Sequence, residues 1–171
     1  MKNKFFFIFF LFFATNLFAE DKIVYLDVNF LLSESEAGKY INTEIQKINN
    51  KNIEDYKKIE NSIKFQEEKL LQQKNILKEE EFKKKVDKLR KKYDDYQKMK
   101  NSKNNELKEL RNTAGKQILK IINDILAEYS NKNKISLIME KKNIVIGKTD
   151  LDITNKILVL LNDKIKKVEL K

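Results

Sequence analysis

The sequence predicts an α+β fold in which a small β-rich body carries a long, protruding α-helical coiled-coil hairpin. Three observations predict it. Two stretches, roughly 39–75 and 79–131, contain no proline and place apolar residues about every third or fourth position. Short apolar runs of strand character, 22–27 and 135–139, flank them. The helices carry so few large apolar residues that each has only a thin stripe to bury, so they should project away from the compact part of the chain.

Residues 1–19 read as a secretory signal peptide. Lys2 and Lys4 precede an unbroken apolar run over 5–13, and Leu17-Phe-Ala19 ends on a small residue. The run is too short for a bilayer span of about 20 residues. Eight of the eleven phenylalanines lie here, so composition changes sharply at Ala19. An uncleaved anchor is the competing reading, because Leu17 stands where a small residue is usual. The mature chain is expected to begin near Glu20, with export to the periplasm as the destination.

Composition bounds the chemistry. Cys, His, Trp and Pro are all absent. An exported chain without Cys has no disulfide, so packing or oligomerisation must stabilise it. Without His or Cys, the usual general base, thiolate nucleophile and zinc ligands are missing, and an enzyme is not expected. Glu79-Glu-Glu81 does not converge on one ion, because consecutive helical side chains diverge by about 100°. Those acids favour a helix start instead. The three glycines, Gly38, Gly115 and Gly147, form no phosphate loop. No cofactor or metal is expected. Removing 1–19 takes away Lys2 and Lys4 and no acid, so the net charge falls from +10 to +8. That excess favours anionic surfaces. Export makes nucleic acid an unsuitable partner.

The first strand is expected over 23–28, followed by helix-start chemistry at Ser33-Glu-Ser-Glu36. The arm occupies 39–111. Its outgoing seam runs through Ile45, Ile48, Asn52, Tyr56, Ile59, Ile63, Gln66 and Leu70, with a stutter at 48–52–56. The return seam runs from Phe82 through Val86, Leu89, Tyr93, Tyr96, Lys100, Lys103, Leu107 and Leu110 to Ala114. Polar seam residues should let the arms splay. The tip is placed near 74–80. The alternative is one unbroken helix over 36–131, about 140 Å long. Matching arm lengths, and strands that must come back together, favour the hairpin.

Residues 20–38 and 112–171 form the body. Ile118, Ile121, Ile122, Ile125, Leu126 and Tyr129 give the returning helix a wide apolar face. Strands at 135–139 and 144–146 are expected to pair as a hairpin, and Asp152 or Thr154 to cap a last helix. So small a body, with so much apolar surface, implies a homo-oligomer built through it.

In this order the parts resemble the Skp/OmpH family of periplasmic chaperones. Lys22-Ile-Val-Tyr-Leu-Asp-Val28 resembles its opening strand, and Ala37-Gly-Lys39 its entry to the first long helix. Leu77-Lys-Glu-Glu-Glu-Phe82 resembles its arm tip, and Asp152-Ile-Thr154 its closing motif. The resemblance implies a jellyfish-like homotrimer with a β-rich trimerisation body. Three hairpins would enclose a cavity that holds unfolded outer-membrane proteins without nucleotide. The residues assigned to the trimer body are Ile23, Val24, Leu26, Ile118, Ile122, Ile125, Leu137 and Met139. Ile59, Ile63, Tyr93 and Tyr96 are the candidate client contacts. A heptad seam equally allows them to pair the two arms with each other. Lys83, Lys84, Lys85, Lys88, Arg90, Lys91 and Lys92 are candidates for binding anionic lipid or lipopolysaccharide, against the plainer reading of a solvated face. The rival functions are an exported coiled-coil spacer and an anionic-surface binder that holds no client.

Overall fold

A computed structural model describes residues 22–170; the expected signal peptide and the expected start at Glu20 lie outside the described residues. The elements run β1 (Lys22–Leu26), α1 (Val28–Glu34), α2 (Glu36–Gln72), α3 (Glu79–Asn133), β2 (Ile135–Glu140) and α4 (Thr154–Lys164). Strands β1 and β2 pair in parallel. Parallel neighbours cannot be joined by a tight turn and need a long crossover. Here the crossover is α1, α2 and α3, so the arm is the connection of one strand pair. At about 1.5 Å per residue, the 37-residue α2 is about 55 Å long and the 55-residue α3 about 80 Å.

The expected first strand stops two residues early. Asp27 caps α1, its carboxylate accepting from the Phe30 N–H at 2.9 Å, and Val28 is already helical. This short helix was not anticipated from the sequence. Ser35 ends it and starts α2 at once, its Oγ accepting from the Gly38 N–H at 3.1 Å. A Cβ at Gly38 would stand 2.0 Å from the Leu32 carbonyl oxygen, so only glycine lets α1 and α2 meet this tightly.

The core lies where α1, the start of α2, the end of α3 and α4 converge. Leu31, Ile157 and Leu161 are fully enclosed, as are Ile118 and Ile122 within a percent. Side chains alternate along the sheet. Val24 and Leu26 face this core, while Ile23, opposite Leu137, faces outward. Lys134 ends α3 in the left-handed conformation, φ 52° and ψ 47°, and turns the chain into β2.

The expected strand over 144–146 does not form. A 3₁₀ turn, Lys141–Asn143, carries the chain away from β2, with the Ile144 N–H donating to the Lys141 carbonyl at 3.0 Å. Gly147 then lies against the Tyr25 ring, and the Tyr25 hydroxyl donates to the Lys148 carbonyl at 3.1 Å. This anchoring replaces the ladder that three residues were too few to build. The edge of β1 is extended instead by Asp152 and Ile153, whose N–H donates to the Tyr25 carbonyl at 2.9 Å.

The hairpin itself is as expected, with its tip between Gln72 and Glu79. Lys78 opens α3 without a side-chain cap, and Glu79, Glu80 and Glu81 occupy its first turn, where the helix dipole favours acids.

Candidate functional site

The arm has two dissimilar faces near its tip, and Leu70 and Leu89 lie between them. On one side is a shallow groove of about 450 Å³, walled by Ile63, Leu71, Phe82, Val86 and Tyr93. Glu67, Arg90 and Asp94 rim it. On the other side a groove of about 400 Å³ is lined by Gln66, Lys69, Gln73, Lys85 and Lys88. A helix places residues four and seven apart on one face, so Lys84, Lys88 and Lys91 form an exposed basic stripe. These three have no acidic partner among the described residues. The remaining basic candidates are partly engaged. Lys85 donates to Gln73 at 2.8 Å, Lys92 to Ser62 at 2.9 Å, and Arg90 lies 3.9 Å from Asp87. Lys83 is exposed.

Two of the candidate client contacts, Ile59 and Ile63, are half-buried, and Tyr93 is half exposed. Tyr96 is a correction: it is 4 % exposed and belongs to the seam. Its ring packs edge-on against Tyr56, centroids 6.1 Å apart, and its hydroxyl donates to the Glu60 carboxylate. That hydrogen bond, with burial second, pushes the phenol up to about 12. Tyr93, placed in the return seam by its spacing, is half exposed. The seam passes through Lys92 instead, whose stem reaches across to α2.

Below Tyr96 the arm is poorly satisfied. The amide nitrogen of Asn52 and the hydroxyl of Tyr56 are buried with no hydrogen-bond partner among the described residues. Both lie at the 48–52–56 stutter, where the helices locally lose their regular interlock. The Lys100 ammonium sits 5.8 Å from each ring of the Tyr56–Tyr96 pair, a cation–π contact that gives this lysine a reason to occupy a seam.

Sequence reasoning missed four apolar side chains that stand out from the arm: Ile53, Phe65, Leu71 and Ile76, exposed by 52, 64, 63 and 80 %. The signal was present, since none of them falls on the seam spacing. An apolar residue off the seam of a two-helix arm has no core to enter.

Of the residues assigned to the trimer body, Val24, Leu26, Ile118, Ile122 and Ile125 are buried in their own chain. Ile23, Leu137 and Met139 are exposed on the outward face of the sheet. Val145 and Ile146, at 98 and 92 % exposure, extend the apolar surface of the body.

Asp152 ties the body together. Its carboxylate accepts from the Thr154 N–H at 2.9 Å and from the Thr154 hydroxyl, and from the Lys141 ammonium at 2.9 Å. The Thr154 hydroxyl oxygen in turn accepts from the Asp27 N–H at 2.9 Å. Thr154 is thus the first helical residue rather than the cap; Ile153 holds the cap position without a side-chain hydrogen bond, and the Asp152 carboxylate takes the Thr154 N–H from one residue further out. Burial pushes the Asp152 carboxyl up, but the Thr154 and Lys141 hydrogen bonds outweigh it and hold it below the usual value.

The sequence profile of OmpH-like outer membrane proteins matches residues 22–161, which takes in the strand pair, the whole arm and most of α4. The chain belongs to the OmpH-like family. The fold of this OmpH-like chain is also that of a crystal structure from Caulobacter crescentus CB15, described as a candidate outer membrane chaperone, OmpH-like. The two superpose with a TM-score of 0.80 over 88 % of this chain and 89 % of the other, at 14 % identity. No curated protein matches the sequence. Among the described residues, no helix is long and apolar enough to cross a membrane, and no cluster of acids could hold a metal ion.

Proposed function

We propose that this OmpH-like chain is a periplasmic holdase chaperone. It binds unfolded outer-membrane proteins between helical arms and keeps them from aggregating before insertion, without nucleotide. Family membership supports the chaperone role. The observation that carries the rest is the set of exposed apolar side chains, Ile53, Phe65, Leu71, Ile76 and Tyr93, scattered along a highly charged arm. Spaced singly, they offer many weak contacts and no shaped pocket, which suits a client without fixed structure. Several arms acting on one client convert weak contacts into tight holding through effective concentration.

The assembly in this reading is a homotrimer made through the body. Exposed Ile23, Leu137, Met139, Val145 and Ile146 are the apolar surface that neighbours would cover. The test has two parts. The mature protein is mixed with a urea-unfolded outer-membrane barrel, the urea is diluted, and light scattering is followed. Suppressed scattering is expected, with sedimentation giving three chains per particle. Unchanged scattering rejects the holdase, and a folded monomer at micromolar concentration rejects the trimer.

A second reading rests on the unpartnered stripe Lys84, Lys88 and Lys91. In it the arm tip also touches anionic lipid or lipopolysaccharide, at about 1 kcal/mol per charge near such a surface.

A further inference from the structure

Where the arm leaves the body there is a second kind of surface. A groove runs between α1, the start of α2 and the body-proximal half of α3, in two parts of about 560 Å³ each. Asn42 and Arg111 line both parts, so the groove is continuous. Its floor is apolar, formed by Leu32, Ile41, Ile45, Ile118 and Leu119. Its walls carry side-chain amides: Asn29, Asn42, Gln46, Asn49 and Asn112. The charged residues that line it are Lys108, Arg111 and Lys116, and no acid does. Among the described residues, none of these amides or cations has a side-chain hydrogen bond or an ion pair.

Gly115 lines the same groove. It lies inside the 55-residue α3, where glycine costs about 0.8–1.0 kcal/mol relative to alanine. A Cβ built there meets nothing within 4 Å. Packing therefore gives no reason for glycine at this point.

We propose that this groove binds an extended, acid-bearing segment of unfolded polypeptide. The proposal rests on the holdase reading and adds where, and through which atoms, the client's main chain is held. An unfolded chain presents one N–H and one C=O at nearly every residue. A side-chain amide supplies both complements, two donors and an acceptor, and so reads main chain without regard to sequence. An extended segment sends alternate side chains to opposite sides, which lets one set meet the apolar floor while the other stays in water. Arg111 and Lys116 meet its carboxylates, which is the charge complementarity the lining provides. From Gly38 to Asn49 is about 17 Å of helix at 1.5 Å per residue, room for about five extended residues.

The test uses the full mature protein and a short fluorescent peptide alternating apolar and acidic residues. Anisotropy is expected to show binding. Gly115→Leu extends into the groove from a Cβ that meets nothing within 4 Å, favours helix, and is expected to weaken the peptide by about tenfold or more. Gly115→Ala, smaller and at least as helix-favouring, is expected to keep most of the binding. The pair Arg111→Glu and Lys116→Glu should shift preference to the same peptide with lysines in place of its acids. Equal binding by wild type and Gly115→Leu overturns the proposal, as does no peptide binding by wild type. A photo-crosslinker replacing Asn42 that captures a second copy of the chain in the absence of peptide also overturns it. If the peptide binds but barrel aggregation is not suppressed, the groove stands and the holdase reading falls.

Discussion

The body and the arm are built from the same few residue types, yet they differ in what each apolar residue touches. In the body, Leu31, Ile157 and Leu161 are wholly enclosed by elements far apart in sequence. In the arm beyond Ile45, only Tyr56 and Tyr96 are buried, each by the other helix alone. The Tyr56–Tyr96 contact even coincides with two orphaned polar atoms. The body is held by a closed core and the arm by a thin seam. A seam of that kind can separate and re-form without endangering the fold, whereas a body that opened would lose everything at once.

The sharpest way to break this comparison is a matched pair of truncations. Leu161→Ala or Ile157→Ala is expected to cost about 2–5 kcal/mol, because each leaves a cavity that its neighbours cannot fill. Ile59→Ala or Leu70→Ala, half-buried on the arm, is expected to cost about 1 kcal/mol or less. Urea unfolding monitored by circular dichroism measures both. Equal losses in the two regions would erase the distinction between core and seam.

That distinction was largely readable in the sequence. Apolar density rises after Ala114 and is sparse between 48 and 110, and the closed core and thin seam follow it. The hairpin, its tip and the returning strand were legible because helical periodicity is long-range and redundant. What escaped were short, contextual features. Helix α1 was missed because a seven-residue helix shows no repeating period, and its start depends on Asp27 turning from strand to cap. The 144–146 strand failed because three apolar residues carry no information about a partner, and Tyr25 claimed the segment instead. On the arm, spacing placed Tyr93 in the seam, but the interlock beyond the stutter brings Lys92 inward and leaves Tyr93 half exposed. The groove at the arm root was invisible because it combines residues from α1, α2 and α3.

The body's electrostatic tie provides the next contrast. The Asp152 carboxyl is depressed in the folded chain, so its contribution is present above the unfolded value of about 3.9 and is lost as pH falls through the lower folded value. Asp152→Asn is therefore expected to lower stability at pH 7 and to lose less than wild type on acidification toward pH 3. Thermal melts across that range measure it. Parallel acid limbs for the two proteins would show that Asp152 is not coupled to folding.

Within the arm, two tyrosines should respond in opposite directions. Tyr96→Phe loses the hydrogen bond to Glu60 and is expected to cost about 1 kcal/mol. Tyr56→Phe removes a buried hydroxyl that has no partner, so it is expected to be neutral or to gain up to about 1 kcal/mol. Ultraviolet titration of the wild type should show one phenol ionising near 12. A loss for Tyr56→Phe as large as that for Tyr96→Phe would reverse the account of the mid-arm.

The smallest effect on stability is expected at the tip. Replacing Lys84, Lys88 and Lys91 by Gln should leave the melting temperature within error, since exposed charges hold little folding energy. Binding to anionic vesicles should weaken, because three charges that attract the surface are lost, and low salt is where the difference shows, since physiological salt screens over about 8 Å. Unchanged vesicle binding would reduce the stripe to a solvated face.

The central claim is that the body folds and the arm holds. Deleting residues 59–99 removes the outer part of both long helices together with the tip, and leaves every residue of the body's core in place. The shortened protein and the full-length one are each mixed with the urea-unfolded barrel, and scattering is followed on dilution. The account predicts a shortened protein that is folded, assembles as the full-length chain does, and suppresses aggregation far less, with only the groove at the arm root left to touch the barrel. A folded, shortened protein that holds the barrel as well as the full-length chain would contradict it.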